Sequence, residues 1–375
     1  MIENLKMWNI MQCAVQGRGH IKSNTPCQDK TDSLYTNDTF IIALADGAGS
    51  ARFSHYGAES VTKFICLELS EKFDSYFANN DGVVIKQQLL DGLLEVLSER
   101  AEQLECEIND LASTLLVVAV KNEQFIMAHI GDGVIGYLKN NELKTASCPE
   151  NGEFVNTTVF TTSKDAIMTM KLINGDLGEI CGFVLMSDGS EASLYNKQEH
   201  KIADIVKKIM QISTFIPIEK LQEQLRESFE KVIIKTTSDD CSIAMLVKGD
   251  ESFEGYLQLS NEDKCKLLEI NTKSPKKMIK KYDDILVFLM SEHTLSQISQ
   301  EIHLKEKYVK KYLDRLCKLN LVEKHSNCYR TILIMNTQNN KHNMCNNINP
   351  RKSIYTFFRH MLEKLVKFSL LNKNQ

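Results

Sequence analysis

The stretch "IIALADGAGSARFSHYGAES" at residues 41–60 joins an apolar run to an acidic, glycine-rich turn. The run at 39–45 predicts a buried strand, because short continuous apolar stretches bounded by turn residues are typical of one. Asp46 and Gly47 follow directly, and apolar residues at helical spacing begin shortly afterwards. Asp and Gly are also ordinary turn formers. The pattern therefore gains meaning only if other strands end in the same way.

Other predicted strands do carry acids at their ends. They are Asp29 in "PCQD", Asp132 in "IGDG", Asp188 in "MSDG", and Asp239 with Asp240 in "SDDCS". Taken singly, each Asp-Gly is more often a turn than a site. Taken together they indicate a magnesium or manganese site, because these ions prefer oxygen ligands and crowded carboxylates repel each other without cations. The chemistry suggested is metal-assisted hydrolysis of a phosphate ester.

The order of elements predicts an α+β fold. Strands come in runs with pairs of helices between them, which favours helix pairs covering antiparallel sheets over a regular βαβ alternation. The chain has 375 residues, of which 43% are hydrophobic, so a sizeable core is expected. No secretory signal and no run of about 18 apolar residues is present. The 11 cysteines form no CxxC pair, which indicates reduced thiols in a cytoplasmic protein.

These motifs, in this order, resemble the metal-dependent protein phosphatases of type 2C (the PPM family). The resemblance covers about residues 10–248, and the form "PCQD…DGAGSA" is similar to a bacterial subgroup. It implies a β-sandwich flanked by helix pairs. It also implies a serine/threonine phosphatase that hydrolyses phosphate monoesters by attack of a metal-activated water. The implied partners are a phosphorylated protein substrate and a cognate kinase. The implied cofactors are two manganese or magnesium ions, with a third bound more weakly.

The resemblance also assigns roles to individual residues. Asp46 matches the acid that bridges two metals, and Gly47 matches a glycine whose carbonyl binds the second metal. Asp188 and Asp239 match ligands of the first metal. Asp132 matches a residue of the third metal, and Asp29 matches an acid that holds metal-bound water. Asp240 stands where the family often has Asn, so we expect it beside the ligands and not among them.

Three positions depart from the family pattern. Gln28 replaces a common Glu, and Ala48 replaces a histidine proposed as general acid, for which His20, His55 or a metal-bound water are the candidate substitutes. The phosphate-binding arginine usually lies a few residues before the first acid, whereas Arg18 lies ten positions before Gln28. Arg18 and His20, together with Asp29, are therefore the expected catalytic residues, and Arg52 remains an alternative phosphate ligand.

The C-terminal part has a different character. Residues 264–375 hold 22 Lys and Arg against 9 Asp and Glu, whereas the rest of the chain is acidic. The pattern predicts five segments: a phosphatase domain at 1–250, a linker at 251–281, a small, mostly helical winged-helix-like domain at 282–335, an Asn-rich linker at 336–350 and a basic amphipathic helix at 351–375.

The basic segments leave several partners open. Lys307, Lys310, Lys311 and Lys318 are expected on the exposed side of a third helix, which suits DNA. A protein partner, or docking of the tail on the acidic body, fits the same charges. The last helix suits homodimerisation, packing on its own protein or a membrane surface. The alternative function is a catalytically weak phospho-sensing regulator acting through the winged helix. Retention of all the metal-ligand residues favours the enzyme.

Overall fold

The computed structural model describes residues 8–148, 158–213, 218–249 and most of 256–333, without 258, 260, 269, 273, 320 and 332. The chain divides into two compact units. One contains residues 8–210 and 225–248. The other contains residues 211–224 and the described residues from 249 onward. Each unit is described by itself below.

Two antiparallel five-stranded sheets form the larger unit. The first sheet has the order β1 (Trp8–Val15), β12 (Cys241–Lys248), β9 (Ile180–Met186), β6 (Val134–Lys139) and β7 (Glu142–Ser147). The second has the order β2 (Lys30–Thr36), β3 (Thr39–Ala45), β4 (Leu115–Lys121), β5 (Gln124–Ile130) and β8 (Lys171–Asp176). Two short strands, β10 (Tyr195–Asn196) and β11 (Lys201–Ile202), pair separately.

Strand β3 shows how the two sheets and their helices share the core. All seven of its residues are buried, which requires a covering layer on each face. Ile42 and Leu44 belong to the core between the sheets, together with Phe183 of β9. Ile41 and Ala43 belong to a second core, which α2 (Ser54–Ala78) and α3 (Gly82–Leu104) complete on the outer face. The predicted mixture of stacked sheets and covering helices is therefore confirmed.

The remaining helices before residue 249 are short or lie near the end of that range. They are α1 (Arg18–Ser23), α4 (Ala166–Thr169), α5 (Asp188–Leu194), α6 (Asp204–Ile212) and α7 (Ile218–Lys231), with 3-10 turns at Ile108–Leu111 and Ile233–Lys235. Met210 of α6 lies against β9, where a Cβ on Gly182 would come within 2.6 Å of its Cε atom. The sequence did not predict β2, β7 or β8, because their polar residues lack a continuous apolar run.

The smaller unit contains four helices among the described residues after 249. They are α8 (Asn261–Leu267), α9 (Pro275–Phe288), α10 (Leu295–Glu301) and α11 (Glu306–Lys318). A three-stranded sheet has the order β13 (His293–Thr294), β15 (Cys328–Thr331) and β14 (Val322–His325). The predicted inward residues Ile285, Val309 and Leu313 are all fully buried.

The predicted order of a helix, a short helix, a longer helix and a hairpin is present over residues 282–331. Identification of this unit as a winged helix stays a prediction. The range 251–281, predicted as a linker, contains α8 and the first turns of α9. The Asn-rich linker and the basic helix at 351–375 lie outside the described residues. No helix within the described ranges is long and apolar enough to cross a membrane.

Candidate active site

Strand register brings the predicted acids toward one edge of the first sheet. Met186 at the end of β9 pairs with Ile243 near the start of β12, and also with Val134 at the start of β6. Asp188 follows the end of β9, Asp239 precedes β12, and Asp132 precedes β6. Antiparallel pairing therefore gathers three acids that are far apart in the sequence.

The acids of the second sheet interact with this group. Asp46 directly follows β3, and Asp29 directly precedes β2, whose Lys30 pairs with Ala45. Burial raises the pKa of Asp46 well above its ordinary value, and the charges of Asp29, Asp188 and Asp239 raise it further. Four of the six acids that the sequence singled out at strand ends therefore form one electrostatic cluster, and Asp132 joins it through its charge on Asp188.

Two further carboxyls of the cluster have raised pKa values for the same reason. Burial raises the pKa of Asp29 to about 7, against a smaller opposing effect of the Ser242 hydroxyl. Burial, followed by the charges of Asp132 and Asp239, raises the pKa of Asp188 to about 6. Buried carboxylates resist ionisation unless a cation compensates for the lost hydration.

The donor set fits hard divalent cations. Both carboxylate oxygens of Asp29 and Oδ1 of Asp188 are buried without a hydrogen bond of good geometry. Oxygen atoms of this kind are the ligands that magnesium and manganese prefer. Across the described ranges, no three His, Cys, Asp or Glu side chains already form a closed group around a metal position.

The backbone around Asp46 is held on both sides. The Asp46 N–H donates to Thr114 Oγ1 at 2.8 Å, and the Thr114 N–H donates back to the Asp46 carbonyl at 2.8 Å. Gly47 lies so close to the first residue of α2 that an added Cβ would meet the Cβ of Ser54 at 2.8 Å. Only glycine fits this close approach of loop and helix.

Asp240 performs a different task from its neighbour Asp239. Its side chain is 1% exposed, and its carboxylate accepts hydrogen bonds from the N–H groups of Gly17 and Gln28, both at 2.6 Å. His20 Nδ1 lies 2.9 Å from its second oxygen. Asp240 thus ties the N-terminal motif to the loop before β12.

Arg18 and His20 both reach this same loop. Nε and Nη2 of Arg18 donate to the carbonyl of Thr237 at 3.2 and 3.1 Å, and the side chain is exposed. His20 directs Nδ1 toward Asp240, so Nε2 is the ring nitrogen left for other contacts. The catalytic roles of these two residues stay predictions.

The alternative candidates have local partners. His55 lies over the Tyr56 ring with centroids 4.1 Å apart, and burial lowers the pKa of its imidazole. The Arg52 guanidinium lies 4.7 Å from the centroid of Phe53. Gln28 is buried and donates from Nε2 to Ser54 Oγ at 2.7 Å. Its amide thus positions the start of α2.

Sequence reasoning missed two residues beside the cluster. Thr158 Oγ1 donates to Asp132 Oδ2 at 2.6 Å. Glu191 on α5 is 1% exposed, lies 3.3 Å from Lys197 Nζ, and has its pKa raised to about 7 by burial. Glu191 was visible as the second acid of "SDGSE", whereas Thr158 lies in a weakly patterned segment that gave no indication.

Comparisons with known proteins address most of this unit. A family model described as protein phosphatase 2C matches residues 16–230. Serine/threonine-protein phosphatase 3 of Escherichia coli (strain K12) is 26% identical over 169 residues, which is 44% of this chain. The matched region spans 66% of that relative's length, just under two thirds.

Solved structures give matches of lower identity. A bacterial serine phosphatase is 13% identical with a TM-score of 0.45, over 65% of this chain and 99% of that one. Phosphatase Stp1 from Staphylococcus aureus is 14% identical with a TM-score of 0.44, over 64% and 95%. The catalytic domain of PstP, in complex with 2 manganese ions, is 18% identical with a TM-score of 0.41, over 65% and 100%.

Proposed function

Because the chain belongs to the protein phosphatase 2C family, we propose that it hydrolyses phosphoserine and phosphothreonine in proteins with the help of manganese or magnesium ions. Family membership, and similarity to a relative named as a serine/threonine-protein phosphatase, support this activity. The metal dependence, the site residues and the substrate are the proposal. The observation that carries it is the cluster of buried acids with unpaired carboxylate oxygens.

The proposed ligands are those that the motifs predict. Asp46, the carbonyl of Gly47, Asp188 and Asp239 would hold two ions, and Asp132 would contribute to a third. Two such ions, when bound, supply charge stabilisation of the phosphoryl group and an activated water. Support comes from the raised pKa values of Asp46 and Asp188, since a group of acids that resists ionisation gains most from cations.

The remaining residues of the site would position a water molecule and protonate the leaving group. Asp29 would hold a water near the ions, because its two oxygens are buried without a hydrogen bond of good geometry. Asp240 would hold His20 in place through the 2.9 Å contact with Nδ1, which leaves Nε2 to protonate a leaving alkoxide. Ala48 provides no proton donor of its own, so this step depends on another group.

A phosphatase assay on the purified chain tests the proposal directly. We expect hydrolysis of a small aryl phosphate and of a phosphoserine peptide that requires added manganese and is abolished by a chelator. Asp91→Asn serves as a control, because Asp91 is exposed on α3 and bonds only to Gln87 in the same helix. Full activity in the presence of chelator would refute the metal dependence.

Leaving-group protonation can be tested separately. A phenolate leaves without much help, whereas a serine alkoxide needs a proton. We therefore expect His20→Ala to slow phosphoserine peptide hydrolysis by about tenfold or more while aryl phosphate hydrolysis changes less. His55→Ala provides the comparison. Equal slowing of both substrates by His20→Ala would show that this histidine is not the proton donor.

The cellular setting forms part of the proposal. The 11 scattered cysteines, of which those in the described ranges are free thiols, support a cytoplasmic location. A phosphorylated protein and the kinase that modifies it would be the partners. Homodimerisation through 351–375 concerns residues outside those described.

A second candidate function is a phospho-sensing regulator that acts through the basic C-terminal unit. Lys307 and Lys310 are exposed on α11, which favours contact with DNA phosphates or an acidic protein. If DNA is the partner, the full chain should shift a generic duplex at low salt, and the Lys307→Ala/Lys310→Ala variant should lose much of that shift. No binding at low salt would leave a protein partner as the candidate.

A further inference from the structure

A cavity of about 470 Å³ lies within the C-terminal unit, between α9 and α11. Met278, Lys281 and Tyr282 of α9 line it. Their spacing of three and four residues places them on one face of that helix. The volume lies within the range of pockets that hold small organic ligands.

The facing helix, α11, also lines the cavity with aromatic and cationic side chains. Tyr308, Lys311, Tyr312 and Arg315 of α11 line the cavity at helical spacing. Each helix therefore presents cationic and aromatic side chains to the same space. Leu304, just before α11, completes the described lining.

The charges around the cavity are of one sign. Three of the described lining residues are cationic and none is acidic. Asp283, the neighbour of Tyr282 in sequence, is engaged elsewhere, since it accepts from Tyr256 Oη at 2.7 Å and from Lys264 Nζ at 2.9 Å. The structure records no ion pair for Lys281 or Lys311 with any described residue.

The aromatic residues give the cavity flat walls. The rings of Tyr282 and Tyr312 meet edge to face, with centroids 4.9 Å apart and planes at 74°. Tyr282 is buried, whereas Tyr308 is 46% exposed. Flat π-surfaces beside Lys281 and Lys311 suit a ligand that combines a planar ring with an anionic group.

We propose that this cavity binds a small ligand in which a planar ring carries a phosphate, such as a nucleoside monophosphate or an aryl phosphate. The ring would lie against the tyrosines, and the phosphate would contact Lys281, Lys311 and Arg315. Three positive charges match a phosphate dianion better than a single carboxylate. This site lies apart from the acid cluster in sequence and needs no metal.

Titration calorimetry on the full chain in the presence of a chelator tests the site, because removal of divalent ions suppresses phosphate binding at the acid cluster. The probes are AMP, GMP and phosphotyrosine, with adenosine and inorganic phosphate as partial ligands. We expect at least one complete probe to bind more tightly than either partial ligand. Which complete probe binds distinguishes a nucleotide from an aryl phosphate.

Matched surface variants locate the binding. Lys311→Ala and Tyr308→Ala should each weaken it about tenfold, because each variant loses a charge-assisted or stacking contact with the ligand. Lys310→Ala is the control, since Lys310 is exposed on the same helix but does not line the cavity. All three residues are exposed, so the fold should persist, and circular dichroism verifies this.

Three results would overturn the proposal. The first is that none of the three complete probes binds at millimolar concentration. The second is that Lys311→Ala and Lys310→Ala bind alike. The third is that Asp46→Asn, and not Lys311→Ala, abolishes binding, which would assign the phosphate to the acid cluster.

Discussion

The acid cluster and the cavity between α9 and α11 differ in both charge and burial. The cluster is acidic and buried, whereas the cavity is lined by cationic residues, of which Lys311 is exposed. Asp29 and Asp46 lie where burial raises the pKa of both carboxyls. Lys311, by contrast, is exposed to water. A buried charge demands compensation and therefore indicates a ligand by itself. An exposed charge has no such requirement, so the inference there also depends on the cavity and its tyrosines.

The largest expected effect is on the acid cluster. Asp46→Asn should reduce manganese-dependent hydrolysis about 100-fold or more, since it removes one negative charge from between two proposed ions. The free energy of unfolding in chelator should not fall, because one of several repelling carboxylates is gone. Steady-state kinetics and thermal unfolding measure both.

A result that breaks this account is near wild-type turnover of Asp46→Asn at saturating manganese. The metal-induced rise in Tm gives an independent readout, and it should shrink in Asp46→Asn but persist in Asp91→Asn.

Substitution of Asp240 should mainly affect stability, whereas substitution of the adjacent Asp239 should mainly affect activity. Asp240→Ala should lower the free energy of unfolding by about 3 kcal/mol, since the buried N–H groups of Gly17 and Gln28 lose their shared acceptor. Asp239→Ala should instead abolish most activity with little loss of stability. Urea denaturation monitored by circular dichroism, beside the activity assay, separates the two. The reverse pattern would mean that the two acids exchange roles.

The acid cluster also predicts a pH dependence without metal. Ordinary Asp and Glu carboxyls in an unfolded chain titrate near 4, whereas those of Asp29 and Asp188 have pKa values of about 7 and about 6 in the folded protein. The contribution of these two carboxyls to the free energy of unfolding is therefore fully present below about pH 4. It is lost as the pH rises through their pKa values in the folded protein.

Thermal unfolding in chelator should accordingly show a lower Tm at pH 8 than at pH 5. Added manganese should remove most of the difference at pH 8, because the ions compensate for the ionised carboxylates. A Tm that rises from pH 5 to pH 8 in chelator would contradict the repulsive cluster.

The smallest effect concerns Glu191. Burial raises the pKa of its carboxyl to about 7, so Glu191→Gln should raise the Tm at pH 8 by about 2–4 °C in chelator and change it less at pH 5. Lys197→Ala should instead lower the Tm at pH 8, because it removes the cation that stabilises the ionised, buried Glu191 carboxylate. An equal change at both pH values would exclude ionisation as the cause.

Sequence reasoning succeeded where a single local property determines the outcome. The apolar run of β3 and the helical spacing of α2 and α3 predict those elements because burial on a regular element leaves a periodic trace. Strand β2 was missed because it reads as a polar strand with only partial burial. Glu191 was missed because an acidic residue in a short helix is usually exposed to solvent, and its burial is visible only in the structure.

The sequence by itself singled out the acids that we propose for the chemistry and the order in which they occur, since each stands beside a strand or glycine turn that can be recognised locally. Only the tertiary structure decided how neighbouring acids divide their roles. Asp239 and Asp240 are chemically identical and adjacent, yet only one accepts the N–H groups of Gly17 and Gln28. That difference depends on the pairing of β1 with β12, a contact between residues more than 200 positions apart, which no local pattern encodes.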